Sequence, residues 1–230
     1  MRSCSENVQT TVIVAENQDA LYIAVASDVD HLGSCTTTGP KEIMMMEQVA
    51  ALETALGNTT RMVAGIGDDQ WGDTTPCANW NVRELVTHTV GVMANFAGGA
   101  AGTGPVGDPM DFELGEDAAA TCAAIASDCV ANWTARGELE SMISLGENEF
   151  PGTMGLNINM LDGYVHGWDI AQATGQDAGL DADICGALIG FAHQVIPESP
   201  REGDNFHAVV PTGEDPSVQD QLLAYLGRRP

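Results

Sequence analysis

Three residues of this chain have the types and spacing to do chemistry together: Asp162, His166 and His88. Asp162 and His166 stand four apart in LNINMLDGYVHGWDIAQA (156–173). At about 100° per residue on a helix, Asn159, Asp162, His166 and Asp169 fall within about 80° of one another. The rest of that stretch (Leu156, Ile158, Met160, Leu161, Tyr164, Val165, Trp168, Ile170) is apolar almost all the way round, the pattern of a helix buried on most sides. A carboxylate and an imidazole leaving such a helix side by side need a partner or a metal, because burial without one is costly. His88 lies in a second helical stretch, about 60° beyond Leu85 and on the flank of the stripe Val82, Leu85, Val86, Val90 and Met93, where its ring can reach a bundle interior. Two imidazoles and a carboxylate, with a fourth position open to water or substrate, are the ligand set of a catalytic zinc. On spacing alone, a metal site and a buried hydrogen-bonded network fit these residues equally well. Asn159 and Asp169 are the candidates to support the ligands, Asp169 alternatively capping backbone or pairing with Arg83.

Positioning these side chains requires helices, and the chain has the patterns for them. Apolar residues recur at helical spacing from Met44 to about Ile66. After the breaker-rich DDQWGDTTPCANWN, Asn81 and Glu84 form a capping box that starts a helix at Val82. GGAAGTGPVGDPMDFELG (98–115) reads as a long Gly and Pro loop with no phosphate-binding pattern. Glu116–Ala135 is a third helix, ENEFPGTMG after Gly146 is a turn, and the polar-striped helix is the fourth. Asp183–Val195 reads as a fifth helix, Phe206–Val210 as a short extended piece and Ser217–Leu226 as a last amphipathic helix. Trp80 and Trp168 are expected as core anchors, His193 and His207 as structural or exposed. Cys77 precedes the His88 helix and is within reach of a metal there, with packing as the plainer account. Residues 1–43 read as an N-terminal extension, a flexible or weak hairpin made from TTVIVA and LYIAVAS, with His31 in a solvated loop; the domain proper is expected over 44–230, from the run Met44, Met45, Met46. Long helices joined by both short and long connections make an all-α bundle the natural architecture.

Composition removes several functions. The 230 residues carry 33 acidic against 8 basic residues, a net charge of −25, with Lys41 the lone lysine. Nucleic acid and anionic membrane both need clustered Lys and Arg, so neither is an expected partner. Acidity of this kind reads as a solvated surface or as adaptation to a salty interior. No run of eighteen apolar residues spans a membrane. Six cysteines form no CxxC pair, and without a secretory leader they are expected as reduced thiols in a cytoplasm, Cys122 and Cys129 sharing a packed face.

TPCANWNVRELVTHTVG (75–91), LDGYVHGWDIAQATGQ (161–176) and LLAYLGRRP (222–230) resemble the metal-binding proteins similar to mycothiol-dependent maleylpyruvate isomerase, within the wider DinB-like superfamily. The resemblance covers residues from Met44 to the C-terminus. It implies a DinB-like four-helix bundle with additional C-terminal helices and a poorly structured N-terminal extension. It also implies a divalent metal, usually zinc, held at His88, Asp162 and His166, with Asp162 where the isomerase has a glutamate; both are oxygen donors to zinc. Enzymes of the family place a small-molecule thiol, mycothiol, at the open metal position, to act on an electrophilic substrate in thiol-dependent transfer or isomerisation. The alternative is a non-catalytic metal-binding protein of the same fold with a structural or regulatory role. Arg83, Arg136 and Arg201 are the expected anion clamps of the bundle, few for a substrate as anionic as maleylpyruvate.

Overall fold

A computed structural model describes residues 11–14, 23–26, 38–198 and 206–230. Four long helices form the body: α1 (Thr38–Ala64), α2 (Val82–Ala101), α3 (Ala118–Arg136) and α4 (Gly152–Thr174). Helices α1 and α2 each pack against both α3 and α4, so α1 lies diagonal to α2 and α3 diagonal to α4. Each link between consecutive long helices therefore has to cross the bundle or run along a side, and none is a tight turn. The all-α bundle expected from periodicity is the observed architecture, and α5 (Ala182–Val195) and α6 (Val218–Tyr225) supply the additional C-terminal helices.

Close approach fixes the α1–α4 seam. A Cβ on Gly163 would lie 2.7 Å from Leu56 Cδ2, and one on Gly167 would lie 2.8 Å from Thr59 Oγ1 and 3.2 Å from Thr59 Cα. Both glycines let α4 sit against α1, and buried Thr59 donates from Oγ1 to the Gly163 carbonyl at 2.7 Å. Burial of α4 on nearly every side follows from this, with Leu156, Ile170 and Ala171 fully enclosed.

Several boundaries differ from expectation. Helix α1 starts at Thr38, six residues before Met44, so the polar stretch before the methionines is partly helical. Helix α2 does not stop at Gly98 but runs to Ala101, ending at Gly102 with φ 75. Gly98 and Gly99 are helical because the chain folds back on them: a Cβ at Gly98 would lie 2.0 Å from the Gly104 carbonyl oxygen, and one at Gly99 2.9 Å from Leu145. The remainder of the 98–115 stretch does form a loop, held by Asn95, which accepts from the N–H of Val106 and donates to the Gly107 carbonyl. The stretch around Gly146 is more than a turn. Strands β3 (Met142–Leu145) and β4 (Asn148–Pro151) form an antiparallel hairpin about Gly146, whose φ is 72, and its buried Ile143, Leu145 and Phe150 join the core. Phe206–Val210 forms no strand; its Val210 N–H donates to the Ala224 carbonyl of α6 at 2.9 Å.

In the extension, β1 (Thr11–Val14) and β2 (Ile23–Ala26) pair antiparallel, within the two short runs expected to make a hairpin. His31, Cys4, Cys35 and Arg201 lie outside the described residues. Among the described residues no helix is long and apolar enough to cross a membrane. Cys77, Cys122, Cys129 and Cys185 are free thiols.

Candidate metal centre

The start of α2 meets the later half of α4, and there the structure brings together all three residues singled out by type and spacing. The Asn81–Glu84 capping box is formed as expected, Glu84 N–H donating to Asn81 Oδ1 at 3.0 Å and Asn81 N–H to Glu84 Oε2 at 2.8 Å. It sets the first turn of α2, and His88 follows about two turns in, 1% exposed. Across from it, Asp162 Oδ1 stands 3.5 Å from His88 Nε2 and 3.5 Å from His166 Nε2. The two imidazoles are perpendicular, with ring centroids 5.2 Å apart. One ligand atom from each of His88, Asp162 and His166 falls within 4.8 Å of the other two, a grouping that could hold a metal ion.

Those separations bear on the two readings left open by spacing. A charge-assisted hydrogen bond from imidazole to carboxylate closes to about 2.7–2.9 Å. Tetrahedral ligation at bonds of roughly 2.0–2.2 Å instead places neighbouring donor atoms roughly 3.3–3.6 Å apart. Both observed distances are of the second kind. Moreover, both oxygens of Asp162 and Nδ1 of His88 are buried with no hydrogen bond among the described residues. A buried hydrogen-bonded network normally satisfies such atoms; an ion facing Asp162 would occupy its oxygens, though not Nδ1 of His88, whose Nε2 is the nitrogen turned to Asp162. The donor set of two nitrogens and one oxygen fits zinc or a similar divalent ion.

Behind His166 lies a second layer. Its Nδ1 is 3.0 Å from Asp169 Oδ2. With the Nδ1 proton donated to that carboxylate, Nε2 presents its lone pair toward Asp162 and His88, the tautomer a ligand requires. Asp169 is fully buried and is clamped on its other side by Arg228, Nε donating to Oδ1 at 3.2 Å and Nη2 to Oδ2 at 2.8 Å. The expected alternative, a pair with Arg83, is not formed; Arg83 lies over the Trp71 ring at 4.7 Å. Asn159, expected to support the ligands, instead donates to Cys129 Sγ on α3 at 3.0 Å.

Arg228 reaches the site through the end of α6. Gly227, at φ 82, turns the chain; its N–H donates to the Ala224 carbonyl and that of Arg228 to the Leu223 carbonyl. This doubly bonded stop with a left-handed glycine is the Schellman arrangement, and it aims the next side chain back at α4. The loop before α2 closes another side. Thr75 Oγ1 donates to the Trp80 carbonyl at 2.8 Å, and the Cys77 N–H donates to Thr75 Oγ1 at 3.1 Å. Trp80 is thereby held with its ring 4.5 Å from that of His88, tilted by 32°, and is half-buried rather than the core anchor expected. Trp168 is the core residue of the two. Cys77 Sγ donates to Asp169 Oδ2 at 3.3 Å and lies 3.8 Å from His166 Nδ1, so it touches the supporting layer and forms a second possible ligand group with His166 and Asp169. His193 packs edge-on against Tyr225 and is exposed, as is His207; neither joins the centre.

The electrostatics couple two buried carboxylates to His166 and Arg228. Burial would raise the Asp162 carboxyl, but His166, His88 and Arg228 together hold it below its usual range. Asp169 is likewise depressed against the effect of burial, chiefly by Arg228 and then by His166. Burial disfavours the charged form of His166, yet Asp162, Asp169 and Cys77 push it up to about 10.

Comparison with known proteins adds three findings. The family model described as "Mycothiol maleylpyruvate isomerase N-terminal domain" matches residues 52–171, just over half of the chain and spanning all three centre residues. Two relatives, uncharacterized proteins from two strains of Mycobacterium tuberculosis, CDC 1551 and H37Rv, are each 29% identical over 184 residues, covering 80% of this chain and 98% of the relative. No solved structure matches the chain.

Proposed function

This chain belongs to the mycothiol maleylpyruvate isomerase N-terminal domain family, and from that premise we propose that it is a divalent-metal protein, of the zinc type, acting as a thiol-dependent transferase or isomerase. His88, Asp162 and His166 hold the ion; mycothiol, the small thiol of the family's name, is the nucleophile, and an electrophilic small molecule is its target. The observation carrying this reading is the pair of 3.5 Å separations from Asp162 Oδ1 to the two imidazole nitrogens, in a buried site whose carboxylate has no hydrogen bond among the described residues. A divalent ion held by these three residues would lower the pKa of a coordinated thiol and so supply a thiolate near neutral pH.

The chain's own residues set the conditions for that chemistry. Asp169 and Arg228 fix the His166 ring and its tautomer. Trp80 flanks His88, its ring 4.5 Å from the imidazole. The buried cysteines offer no rival nucleophile: burial pushes the Cys122 thiol up to about 11 and those of Cys129 and Cys185 up to about 12. Free thiols and the mycothiol link together support a reducing, cytoplasmic setting.

A second reading has one observation in its favour. His88 and Asp162 are 1% and 4% exposed, a degree of enclosure that suits a structural or regulatory metal as well as a catalytic one. Thiol consumption by the metal-loaded protein, with mycothiol and a panel of electrophiles, separates the two. Turnover that disappears in His88→Ala is expected. Bound metal with no turnover anywhere on the panel would leave the non-catalytic role.

A further inference from the structure

The His166 ring has a second nitrogen, and the groups around it are metal ligands in type and spacing. Nδ1 lies 3.0 Å from Asp169 Oδ2 and 3.8 Å from Cys77 Sγ, and Sγ lies 3.3 Å from the same oxygen. A thiol, an imidazole nitrogen and a carboxylate oxygen thus close a triangle on the Nδ1 side of the ring, whereas Asp162 faces Nε2. Tetrahedral zinc, with bonds of roughly 2.3 Å to sulfur and roughly 2.0–2.2 Å to nitrogen and oxygen, sets sulfur roughly 3.6 Å from either light atom and the light atoms roughly 3.4 Å apart. Each side of the observed triangle is within about 0.4 Å of those lengths. Hydrogen bonding alone loads this corner unevenly. Asp169 Oδ2 takes His166 Nδ1, Cys77 Sγ and Arg228 Nη2, three donors for about two lone-pair sites, while Oδ1 takes Arg228 Nε.

We propose that Cys77, His166 Nδ1 and Asp169 form a second metal site, for a thiophilic divalent ion of the zinc type, sharing the His166 ring with the first centre. On binding, the Sγ and Nδ1 hydrogens go to solvent and one divalent ion takes their place, so the net charge of the corner is unchanged. Arg228 does not bar a cation there. Its Nε stays on Asp169 Oδ1, and its Nη2, 3.8 Å from Sγ, faces the thiolate that a coordinated thiol becomes. The loop holds Cys77 in register for this role: its N–H donates to Thr75 Oγ1 at 3.1 Å, and its carbonyl accepts from Thr75 Oγ1 at 3.0 Å and from the Trp80 N–H at 2.9 Å. Cys77 is half-buried while Cys122, Cys129 and Cys185 are buried, so among the described thiols it is the one an ion meets from solvent. A sulfur ligand also separates this site from the nitrogen and oxygen set of His88, Asp162 and His166, because softer ions favour thiolate.

The test titrates full-length, zinc-loaded protein with Co2+ in the absence of added thiol, elemental analysis after gel filtration counting zinc and cobalt separately. Uptake of about one cobalt per chain is expected, with a sulfur-to-cobalt charge-transfer band in the near ultraviolet. In Cys77→Ser the band should vanish and cobalt affinity should fall by more than the roughly 10–100-fold that a lost supporting partner costs, while the zinc of the first centre stays bound. In His88→Ala loaded with cobalt alone, which lacks a ligand of the first centre, the band should persist. No band in the wild type, a band that survives in Cys77→Ser, or a band lost in His88→Ala overturns the proposal; the last would make the sulfur part of the first centre. Wild-type protein that takes up no zinc yet shows the band would strike the reading of the first centre and leave this site standing.

Discussion

Removing the Arg228 guanidinium is the perturbation whose outcome the geometry fixes most tightly. In Arg228→Ala, Asp169 keeps its place inside the protein with 0% of its surface exposed, but loses both the 3.2 and 2.8 Å bonds that neutralise it. Breaking a buried ion pair from one side costs about 3–5 kcal/mol, because the remaining charge is stranded. For a domain of this size each kcal/mol corresponds to roughly 2–4 °C in Tm, so the variant should melt about 6–20 °C lower by calorimetry or circular dichroism. Arg228→Lys, which retains the charge but not the two-pronged fork, should recover part of the loss. Acid sharpens the comparison. Asp169 has its carboxyl held low in the folded protein, chiefly by Arg228 once burial is overcome, so its contribution is present above the unfolded carboxylate value near 4 and fades as pH falls below it. The wild-type advantage over Arg228→Ala should therefore be full at pH 7 and shrink below about pH 4. A loss under about 1 kcal/mol at pH 7 would refute the reasoning, since it would mean that Asp169 is not stranded.

Other outcomes follow from the same structure. Asp169→Asn should weaken metal binding by about 10–100-fold, as measured by competition with a chelator, because the amide no longer fixes the His166 tautomer; unchanged affinity would detach Asp169 from the centre. His166, pushed up to about 10 in the ion-free protein, stabilises the fold below its unfolded value near 6.5 and loses that contribution as pH rises through 10. Between those values metal binding should release about one proton, seen as a buffer-dependent enthalpy in titration calorimetry. Gly167→Ala places a methyl 3.2 Å from Thr59 Cα, and a loss of about 1–3 kcal/mol in denaturant unfolding is expected from overpacking. With a net charge of −25, Tm should rise as KCl is increased, since screening relieves self-repulsion.

The parts of this molecule that were legible in the sequence are those governed by local rules. The capping box at Asn81 and Glu84 and the polar stripe of α4 could be read because each depends on residues within about three turns of one another. Phasing of Asp162 with His166 is set by the helix itself; that His88 meets them required only that α2 and α4 face each other. What escaped reading depends on distant partners. Gly98 and Gly99 resemble loop residues until Gly104 and Leu145 fold over them, and the β3–β4 hairpin packs on α2, a contact its own sequence does not announce. The supporting layer was half visible: Asp169 lay on the stripe, but its partner Arg228 comes from 59 residues later in the chain. A signal for it existed in LLAYLGRRP, where a glycine directly after an amphipathic helix marks a left-handed stop that turns the following arginine back. Trp80 offered no such signal, because an aromatic residue in a breaker-rich loop packs on whatever the loop covers.

Metal content of the purified protein tests the central claim most directly. Elemental analysis should find about one zinc or other divalent ion per chain, with the ion lost in His88→Ala, in His166→Ala and in Asp162→Asn while circular dichroism still reports a folded helical protein. Wild-type protein that takes up no stoichiometric ion, or variants that keep it, would contradict the account.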